Sequence, residues 1–268
     1  MNLSVFKGGF VAFLTLCIIT MPLTAKADTQ TIKSADNAVW GSFGTSFLNY
    51  KESVTPIPDS EHGWLSDPSL AAGATFLTDS GLYFAFDGSY TYGHTNYNGA
   101  YFFFPNRPLQ GTTRDTIGTI DGKIGRSFIL NKLMTLTPYM NIGFRHWDRD
   151  FGQGQNEHYE NMDALGGLLF QVSPVNRLIL SAYAAAGTTF GAQMQPDGSN
   201  TYDLGDSGIY KLGGKVGFDV TKRVEVFTTL DFDQFHYVQS SVASDGTYEP
   251  TSRTSDTTMR IGAAYHFR

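Results

Sequence analysis

The chain has little of what soluble enzymes and helical membrane proteins depend on. Cys17 is the single cysteine in 268 residues, which leaves no internal disulfide and no cysteine-rich zinc site. Charged residues make up only 16% of the chain. After the first 24 residues no apolar run reaches the roughly 18 residues that a spanning helix needs. The sequence therefore predicts neither a disulfide scaffold nor a helical membrane domain.

The apolar run that is present lies at the start of the sequence and has the features of an export signal. Lys7 is followed by the stretch GFVAFLTLCIITMPL and by Ala25-Lys26-Ala27, an order typical of a cleaved secretory signal peptide. Leu16 stands before Cys17, where a lipoprotein would carry a small residue, and this disfavours a lipid anchor. We expect residues 1–27 to be removed and residues 28–268 to form one domain.

Positive charge is also scarce. The formal net charge is −6, and loss of Lys7 and Lys26 with the signal peptide would bring it to −8. Nucleic acids and anionic lipid surfaces are bound by basic patches. The acidic balance argues against either as the main partner, and we predict no nucleic-acid binding.

What the rest of the chain does contain is alternation of apolar and polar residues, with aromatics at 14% and 29 glycines. Period-two alternation bounded by turn residues predicts β-strands. Ten segments have about the length of a tilted membrane-spanning strand, roughly 9 to 11 residues. They are residues 39–51, 70–77, 82–92, 116–129, 134–147, 162–172, 178–190, 209–220, 224–238 and 257–267.

The connections between these segments alternate in length. Short ones occupy residues 78–81, 130–133, 173–177 and 221–223, and long ones occupy 54–69, 93–115, 148–161, 191–208 and 243–256. Short turns at one end and long loops at the other are typical of barrels that cross an outer membrane. We predict an all-β fold, an antiparallel up-and-down transmembrane β-barrel of ten strands, with eight as the alternative count.

The faces of the strands favour the same fold. On the third segment Leu82, Phe84 and Phe86 share one face, whereas Asp87 and Ser89 lie on the other. Lipid solvates the outer face of such a barrel and polar residues line its lumen. Aromatics near the segment ends predict girdles at the membrane interfaces. These aromatics are Trp40, Tyr50, Tyr90, Tyr92, Trp147, Tyr210, Tyr237 and Tyr265.

The last segment, MRIGAAYHF, alternates in the same way. Its apolar face carries Met259, Ile261, Ala263, Tyr265 and Phe267. With the signal peptide and the loop pattern, this segment resembles the last strand of small bacterial outer-membrane β-barrel proteins, although Arg268 follows the terminal aromatic. The resemblance implies location in the outer membrane of a Gram-negative bacterium, contact with outer-membrane lipid, and recognition of these five residues by the barrel assembly machinery. It carries no activity with it.

Inward-facing charged residues indicate what fills the lumen. The predicted set is Asp87, Asp121, Lys123, Arg145, Asp163, Lys211, Lys215, Asp231, Asp233 and Arg260. Small barrels fill their interior with side chains, and unpaired buried charge is costly. We expect these groups to form an ion-pair network that closes the lumen. A narrow porin-like channel is the alternative.

Enzymatic activity is the second alternative, since ten-stranded barrels include the omptin proteases, and other barrels are lipases. His146 and His236 share the lipid-facing parity of Phe144 and Phe232, where a base cannot reach a lumenal carboxylate. We predict a non-enzymatic protein with no catalytic residues, no metal and no cofactor.

The long loops contain the remaining candidates for function. Residues 101–104, which are Tyr101, Phe102, Phe103 and Phe104, form a run of aromatics, and Trp64 lies in the first long loop. Large exposed apolar patches usually mark contact sites. We predict that these residues contact an extracellular ligand, as part of a role in surface contact, adhesion or envelope support.

Overall fold

The computed structural model describes residues 29–53, 57–101, 104–152, 156–197, 201–243 and 246–267. The predicted signal peptide, Phe102, Phe103 and Arg268 lie outside these residues. Within these residues, helix α1 (Thr29–Ala35) precedes the strands. The strands are β1 (Ala38–Glu52), β2 (Ser60–Leu77), β3 (Leu82–Tyr101), β4 (Phe104–Arg126), β5 (Phe128–Asn131), β6 (Met134–Asp150), β7 (Asn156–Val172), β8 (Leu178–Pro196), β9 (Tyr202–Asp203), β10 (Ser207–Asp219), β11 (Val224–Tyr237) and β12 (Ser252–His266).

Ten of these strands form a closed antiparallel barrel, which confirms the predicted fold and the count of ten. Each long strand pairs with the next one along the chain, and β12 pairs with β1 from Ala38 opposite His266 to Glu52 opposite Ser252. The two short strands add to this wall: β5 follows β4 after Ser127 and pairs with β6, and β9 pairs with β8. Closure leaves the barrel without a free sheet edge.

A band of outward-facing apolar residues surrounds the half of the barrel nearer the short turns. We call this band the belt. It comprises the outward positions of residues 39–47, 70–76, 82–92, 118–128, 136–144, 162–170, 178–190, 210–218, 224–232 and 257–267. Phe86 and Met140 are 60% and 68% exposed there. Among the described residues on its outward face, Arg126 is the one that carries a charge. Such a face is solvated by lipid.

The strands extend well beyond the belt toward the long loops, and here the predicted boundaries were wrong. Residues assigned to loops at 60–69, 93–101 and 104–115 belong to β2, β3 and β4. The alternation continues but its polarity reverses. On β3 the outward residues are His94 and Asn96, while Thr95 and Tyr97 are buried. A search for apolar outward residues therefore ends at the belt although the strand does not.

The opposite end of the barrel carries the short turns and α1. In the turn between β2 and β3, Gly81 has φ +85°, a conformation that favours glycine, and its N–H donates to the carbonyl of Thr78 at 3.1 Å. No helix among the described residues is long and apolar enough to cross a membrane. The two ends are called the long-loop end and the short-turn end below.

Candidate functional site in the barrel interior

The charged residues predicted to face inward surround one cavity. All ten line an internal space of about 320 Å³, here called the chamber: Asp87, Asp121, Lys123, Arg145, Asp163, Lys211, Lys215, Asp231, Asp233 and Arg260. Alternation alone was enough to place them, because successive side chains on a strand point to opposite faces. It could not show which of them pair.

Two cations form ion pairs that cross the chamber between distant strands. The Nη1 atom of Arg145 on β6 lies 2.8 Å from Asp256 on β12. The Nζ atom of Lys211 on β10 lies 3.0 Å from both Asp121 on β4 and Asp163 on β7. Asp256 was missed from the sequence, because residues 243–256 were assigned to a loop.

Other pairs join neighbouring strands along the wall. Lys123 Nζ donates to Asp87 at 2.7 Å, and Lys215 Nζ lies 2.6 Å from Glu225. Glu225 has inward parity but was not included in the predicted network. These contacts stiffen the wall without crossing the lumen.

Three members of the predicted set have no such partner. Among the described residues, Arg260, Asp231 and Asp233 form no ion pair. Asp231 accepts a hydrogen bond from the Tyr183 hydroxyl at 2.9 Å. The Nε of Arg260 is buried without a hydrogen-bond partner, as are Nε and Nη2 of Arg145. The chamber thus retains unused donors and charges of both signs.

Between the belt and the long-loop end, buried aromatic rings converge from opposite sides of the barrel. Tyr50 on β1 packs edge-on against Trp147 on β6, with ring centres 5.4 Å apart, and Trp147 lies 5.3 Å from Tyr159 on β7. Tyr159 stacks on Tyr237 of β11 at 5.0 Å. All four side chains are fully buried. These four residues, Arg149, and the carboxyl groups of Glu61 and Glu157 that bond to Arg149 are called the cap.

Arg149 lies among these rings and is 1% exposed. Its Nε and Nη2 atoms donate to Glu61 on β2 at 3.1 and 2.8 Å, and Nη1 donates to Glu157 on β7 at 2.6 Å. The guanidinium carbon lies 4.2 Å from the Tyr50 ring centre and 5.0 Å from that of Trp147. A buried guanidinium with both carboxylate and aromatic partners combines charge-assisted hydrogen bonds with cation–π contact.

The cap holds further buried carboxyl groups. Thr95 donates to Glu61 at 2.6 Å or to Asp115 at 2.7 Å, and Trp147 Nε1 donates to Asp115 at 2.8 Å. Tyr50 donates to Glu52 at 2.8 Å. Tyr159 is 2.6 Å from Glu249. Carboxyl groups outnumber the guanidinium of Arg149, so several of them must hold protons.

The pKa values in the cap follow from this crowding. Burial raises the pKa of Glu52 to about 8. Burial, with the repulsion of Glu61, raises the pKa of Asp115 well above its ordinary value. Burial alone would raise the pKa of Glu61 as well, but Arg149 and hydrogen bonds from Asp115 and Thr95 hold it below its ordinary value. The ionised Glu61 is therefore the main anionic partner of Arg149.

The predicted aromatic girdle was wrong for half of its members. Tyr50, Trp147 and Tyr237 belong to the cap, and Trp40 lines the chamber. Tyr90, Tyr210 and Tyr265 are exposed on the outward face, and Tyr92 is half-exposed there. Position near a strand end does not decide between the two faces, whereas parity does.

At the short-turn end, α1 lies against the inner wall. Ile32 is fully buried. Gln171 Nε2 donates to Asp36 at 2.9 Å, and burial raises the pKa of Asp36 to about 6. Asn37 donates to the carbonyl of Leu77 at 3.1 Å and accepts from its N–H at 3.2 Å. The sequence analysis did not predict this helix.

A second polar cluster joins α1 to the last strands. His266 Nδ1 lies 3.3 Å from the hydroxyl of Ser34, and its Nε2 lies 3.3 Å from Glu225. Asp219, Glu225 and His266 bring ligand atoms within 4.8 Å of one another, as no other group of the described residues does. Lys215 places a positive charge 2.6 Å from Glu225 in this cluster.

His146 lies on the outside of the barrel, as its parity predicts, and so does His158, which was assigned to a loop. His146 contacts the carboxylates of Asp148 at 2.9 Å and Glu160 at 3.1 Å. His158 contacts Asp148 and Asp197, and these hydrogen bonds raise its pKa. Each of these two imidazoles is thus engaged by carboxylates on the outer surface, away from the chamber.

The remaining predicted residues lie on the outer face of the barrel or where β3 ends at the long-loop end. Trp64 is 57% exposed and packs edge-on against Phe47 at 5.2 Å. Tyr101 ends β3 and pairs with Phe104, which begins β4. Met259, Ile261, Ala263, Tyr265 and Phe267 all lie on the exposed face at β12. Their roles as a contact site and an assembly signal stay predictions.

No family model matches the sequence, and no curated protein matches it. Among solved structures, the outer membrane protease OmpT from Escherichia coli is similar with a TM-score of 0.61 at 9% identity, covering 92% of this chain and 100% of that one. Neisserial surface protein A (NspA) is matched at 10% identity and a TM-score of 0.34, covering 85% of this chain and 97% of that one. Ail of Yersinia pestis is matched at 10% identity and a TM-score of 0.34, covering 86% and 99%. The chain has the fold of the small bacterial outer-membrane β-barrel proteins.

Proposed function

We propose that this chain is a non-enzymatic outer-membrane barrel whose lumen is closed at both ends in its resting state, and which acts through its surface at the long-loop end. The cap carries this proposal. Its ring contacts and the bonds of Arg149 join β1 and β2 to β6 and β7 across the full width of the barrel. At the other end α1 packs its buried Ile32 inside the wall.

The proposed location is the outer membrane of a Gram-negative bacterium, with the long-loop end outside. The belt supports contact with lipid, and short turns face the periplasm in barrels of this kind. Export would use the signal peptide at residues 1–27. Insertion would use the alternating face of β12, read by the barrel assembly machinery.

The absence of enzymatic activity is part of the proposal. His146 and His158 at the long-loop end bond to carboxylates rather than to a hydroxyl nucleophile. Ser34, His266 and Glu225 do lie in series. Ser34, however, is in the last turn of α1, where unpaired groups are carbonyls rather than the N–H donors that an oxyanion requires.

Surface contact is the proposed role because the strand extensions build a polar outer wall around a stiff interior. His94, Asn96 and Asn98 point outward from β3, next to the exposed Trp64. A rigid, polar face with an exposed aromatic suits binding of an extracellular ligand. Alanine substitution of Trp64 should reduce the attachment of cells bearing the protein to a surface that carries the extracellular ligand. Alanine substitution of Phe86 in the belt should leave that attachment unchanged.

A gated passage is the second candidate, and the chamber favours it. A cavity of about 320 Å³ lies between the two closures. Loss of either closure would connect that space to one side of the membrane, and loss of both would leave a continuous path.

Single-channel recording in a planar bilayer tests the proposal. The refolded wild type should be silent, while Arg149→Met in a chain that also lacks α1 (Thr29–Ala35) removes the cation of the cap together with the second closure and should show intermittent openings. Arg114→Met in the same chain without α1 is the matched control, because its ion pair with Asp150 is exposed on the outside. Steady, ion-selective steps from the wild type would refute the closed lumen and favour the channel.

A further inference from the structure

The wall of the chamber formed by β11 and β12 carries charges of both signs on its inner face. In the register of these strands Asp231 lies opposite Thr258, Asp233 opposite Asp256, and Thr229 opposite Arg260. Arg260 is thus a diagonal neighbour of Asp231, within reach of long side chains. The wall formed by β11 and β12 therefore presents the guanidinium of Arg260 next to the carboxyl group of Asp231, with that of Asp233 beyond it.

The protein satisfies these charged groups only in part, through contacts such as the hydrogen bond that Tyr183 donates to Asp231. Within the described part of the chain, Arg260, Asp231 and Asp233 form no ion pair, and Nε of Arg260 is buried without a partner. Buried charge without a partner is costly. A ligand with both an anionic and a cationic group would remove that cost.

Arg145 adds an independent observation, because it reaches this wall from β6 on the other side of the chamber. Its side chain is more than nine-tenths buried, at 7% residue exposure. Only Nη1 reaches Asp256, and Nε and Nη2 line the chamber without partners. Oδ1 of Asp256 and Oδ1 of Asn141 are also unpartnered. The site therefore offers free donors and free acceptors beside the charged groups.

The overall charge of the chamber decides the class of ligand. Seven aspartates line it against five basic residues, so a simple anion would meet net repulsion. A simple cation would find Asp231 and Asp233 but would leave Arg260 unpaired. The volume of about 320 Å³ suits a small molecule.

We propose that the chamber binds a small zwitterion of the amino-acid type, with its carboxylate on Arg260 and its ammonium group on Asp231 and Asp233. This inference goes beyond surface contact and does not depend on either closure. Failure of one can therefore be distinguished from failure of the other, by conductance for the closures and by ligand binding for the chamber.

Saturation-transfer NMR on the barrel in detergent tests the site, with L-alanine as the probe and acetate and methylamine as its two half-ligands. Refolding in the presence of each compound prevents the closures from blocking entry. L-Alanine should bind, and each half-ligand should bind about tenfold more weakly, since each loses one charge-assisted contact. Arg260→Gln and Asp233→Asn should each weaken alanine binding by about tenfold for the same reason.

Arg253→Gln is the matched control, because Arg253 lies on β12 with an exposed, outward side chain. It should bind L-alanine as the wild type does. A shift in mobility between heated and unheated samples on gels shows that each variant has folded. The proposal is refuted by equal binding of acetate or methylamine, by unchanged alanine binding in Arg260→Gln, or by no binding to the folded wild type.

Discussion

The belt half and the long-loop half of this barrel are built from the same strands, but their outer faces have opposite polarity. In the belt half the outer face is apolar and the inner face carries ion pairs around a chamber. In the long-loop half the outer face is polar, and the interior is filled by the rings and carboxyl groups of the cap. The solvent outside the wall determines which face is apolar, and the inner face is then filled differently at each level.

The same comparison explains how the two halves treat buried charge. In the belt half cations and carboxylates pair across the chamber, as Lys211 does with Asp121 and Asp163. In the cap one guanidinium serves several carboxyl groups, so protons supply the remaining neutralisation. The stability that the ion pairs of the belt half contribute should therefore depend little on pH. The stability that the cap contributes should change with pH.

The largest effect is expected from removing the cation of the cap. Arg149→Met leaves the buried Glu61 and the partly buried Glu157 without their cation, which should reduce the free energy of unfolding by about 3–5 kcal/mol. Urea unfolding of the barrel in lipid vesicles measures this change. Arg114→Met removes an exposed ion pair with Asp150 and should cost about 0–1 kcal/mol. Equal costs for the two variants would contradict the buried cap.

A somewhat smaller effect should come from reversing the outer face. Ile142 is 60% exposed in the belt, so Ile142→Arg should cost about 2–4 kcal/mol in a bilayer. Asn96→Arg makes the same side chain on the outward face of β3 beyond the belt, where water is the solvent. Its unfolding free energy in vesicles should match that of the wild type. A penalty at residue 96 comparable to that at residue 142 would mean that the belt extends further than the structure indicates.

The last prediction concerns pH. The pKa of Glu52 is raised from 4.5 to about 8 by burial, so between these values the folded protein binds more protons than the unfolded chain. Stability from this group is complete below about pH 4.5 and is lost as pH rises through about 8. Glu52→Gln, which is always neutral, should match the wild type near pH 5 and exceed it near pH 9. Urea midpoints measured across this range provide the comparison.

Asn49→Asp is the control for that experiment, since it adds a carboxylate on the exposed face of β1. Its alkaline loss of stability should equal that of the wild type. If Glu52→Gln also retained the full alkaline loss, the proton held by Glu52 would not be part of the closure.

The sequence analysis could predict the belt half and could not predict the cap. Ten strands, the short turns and the inward parity of Asp87 or Lys211 follow from period-two alternation, because lipid imposes an apolar outer face along the whole belt. The extension of β3 through Thr95 and Tyr97 was missed, since water imposes no comparable pattern on His94 and Asn96.

The contacts of the cap are harder still to predict, because they join residues from opposite strands. Tyr50 and Tyr159 meet across the barrel, and neither local propensity nor spacing along the chain indicates that pairing. Asp256 was missed because the predicted last strand began at residue 257, whereas β12 begins at Ser252. Helix α1 is held by side-chain contacts such as Gln171 with Asp36, rather than by a long amphipathic pattern.

The central claim, a shielded cap above an enclosed chamber, is tested most directly by the three tryptophans. Trp147 is fully buried in the cap, Trp64 is exposed on the outside, and Trp40 lines the chamber. Fluorine NMR of protein labelled with 5-fluorotryptophan, assigned by substituting each residue with phenylalanine, resolves them. A water-soluble paramagnetic agent should broaden the signal of Trp64 and leave those of Trp147 and Trp40 sharp. Broadening of Trp147 to the same extent as Trp64 would show that the long-loop end is open to water and contradict the account.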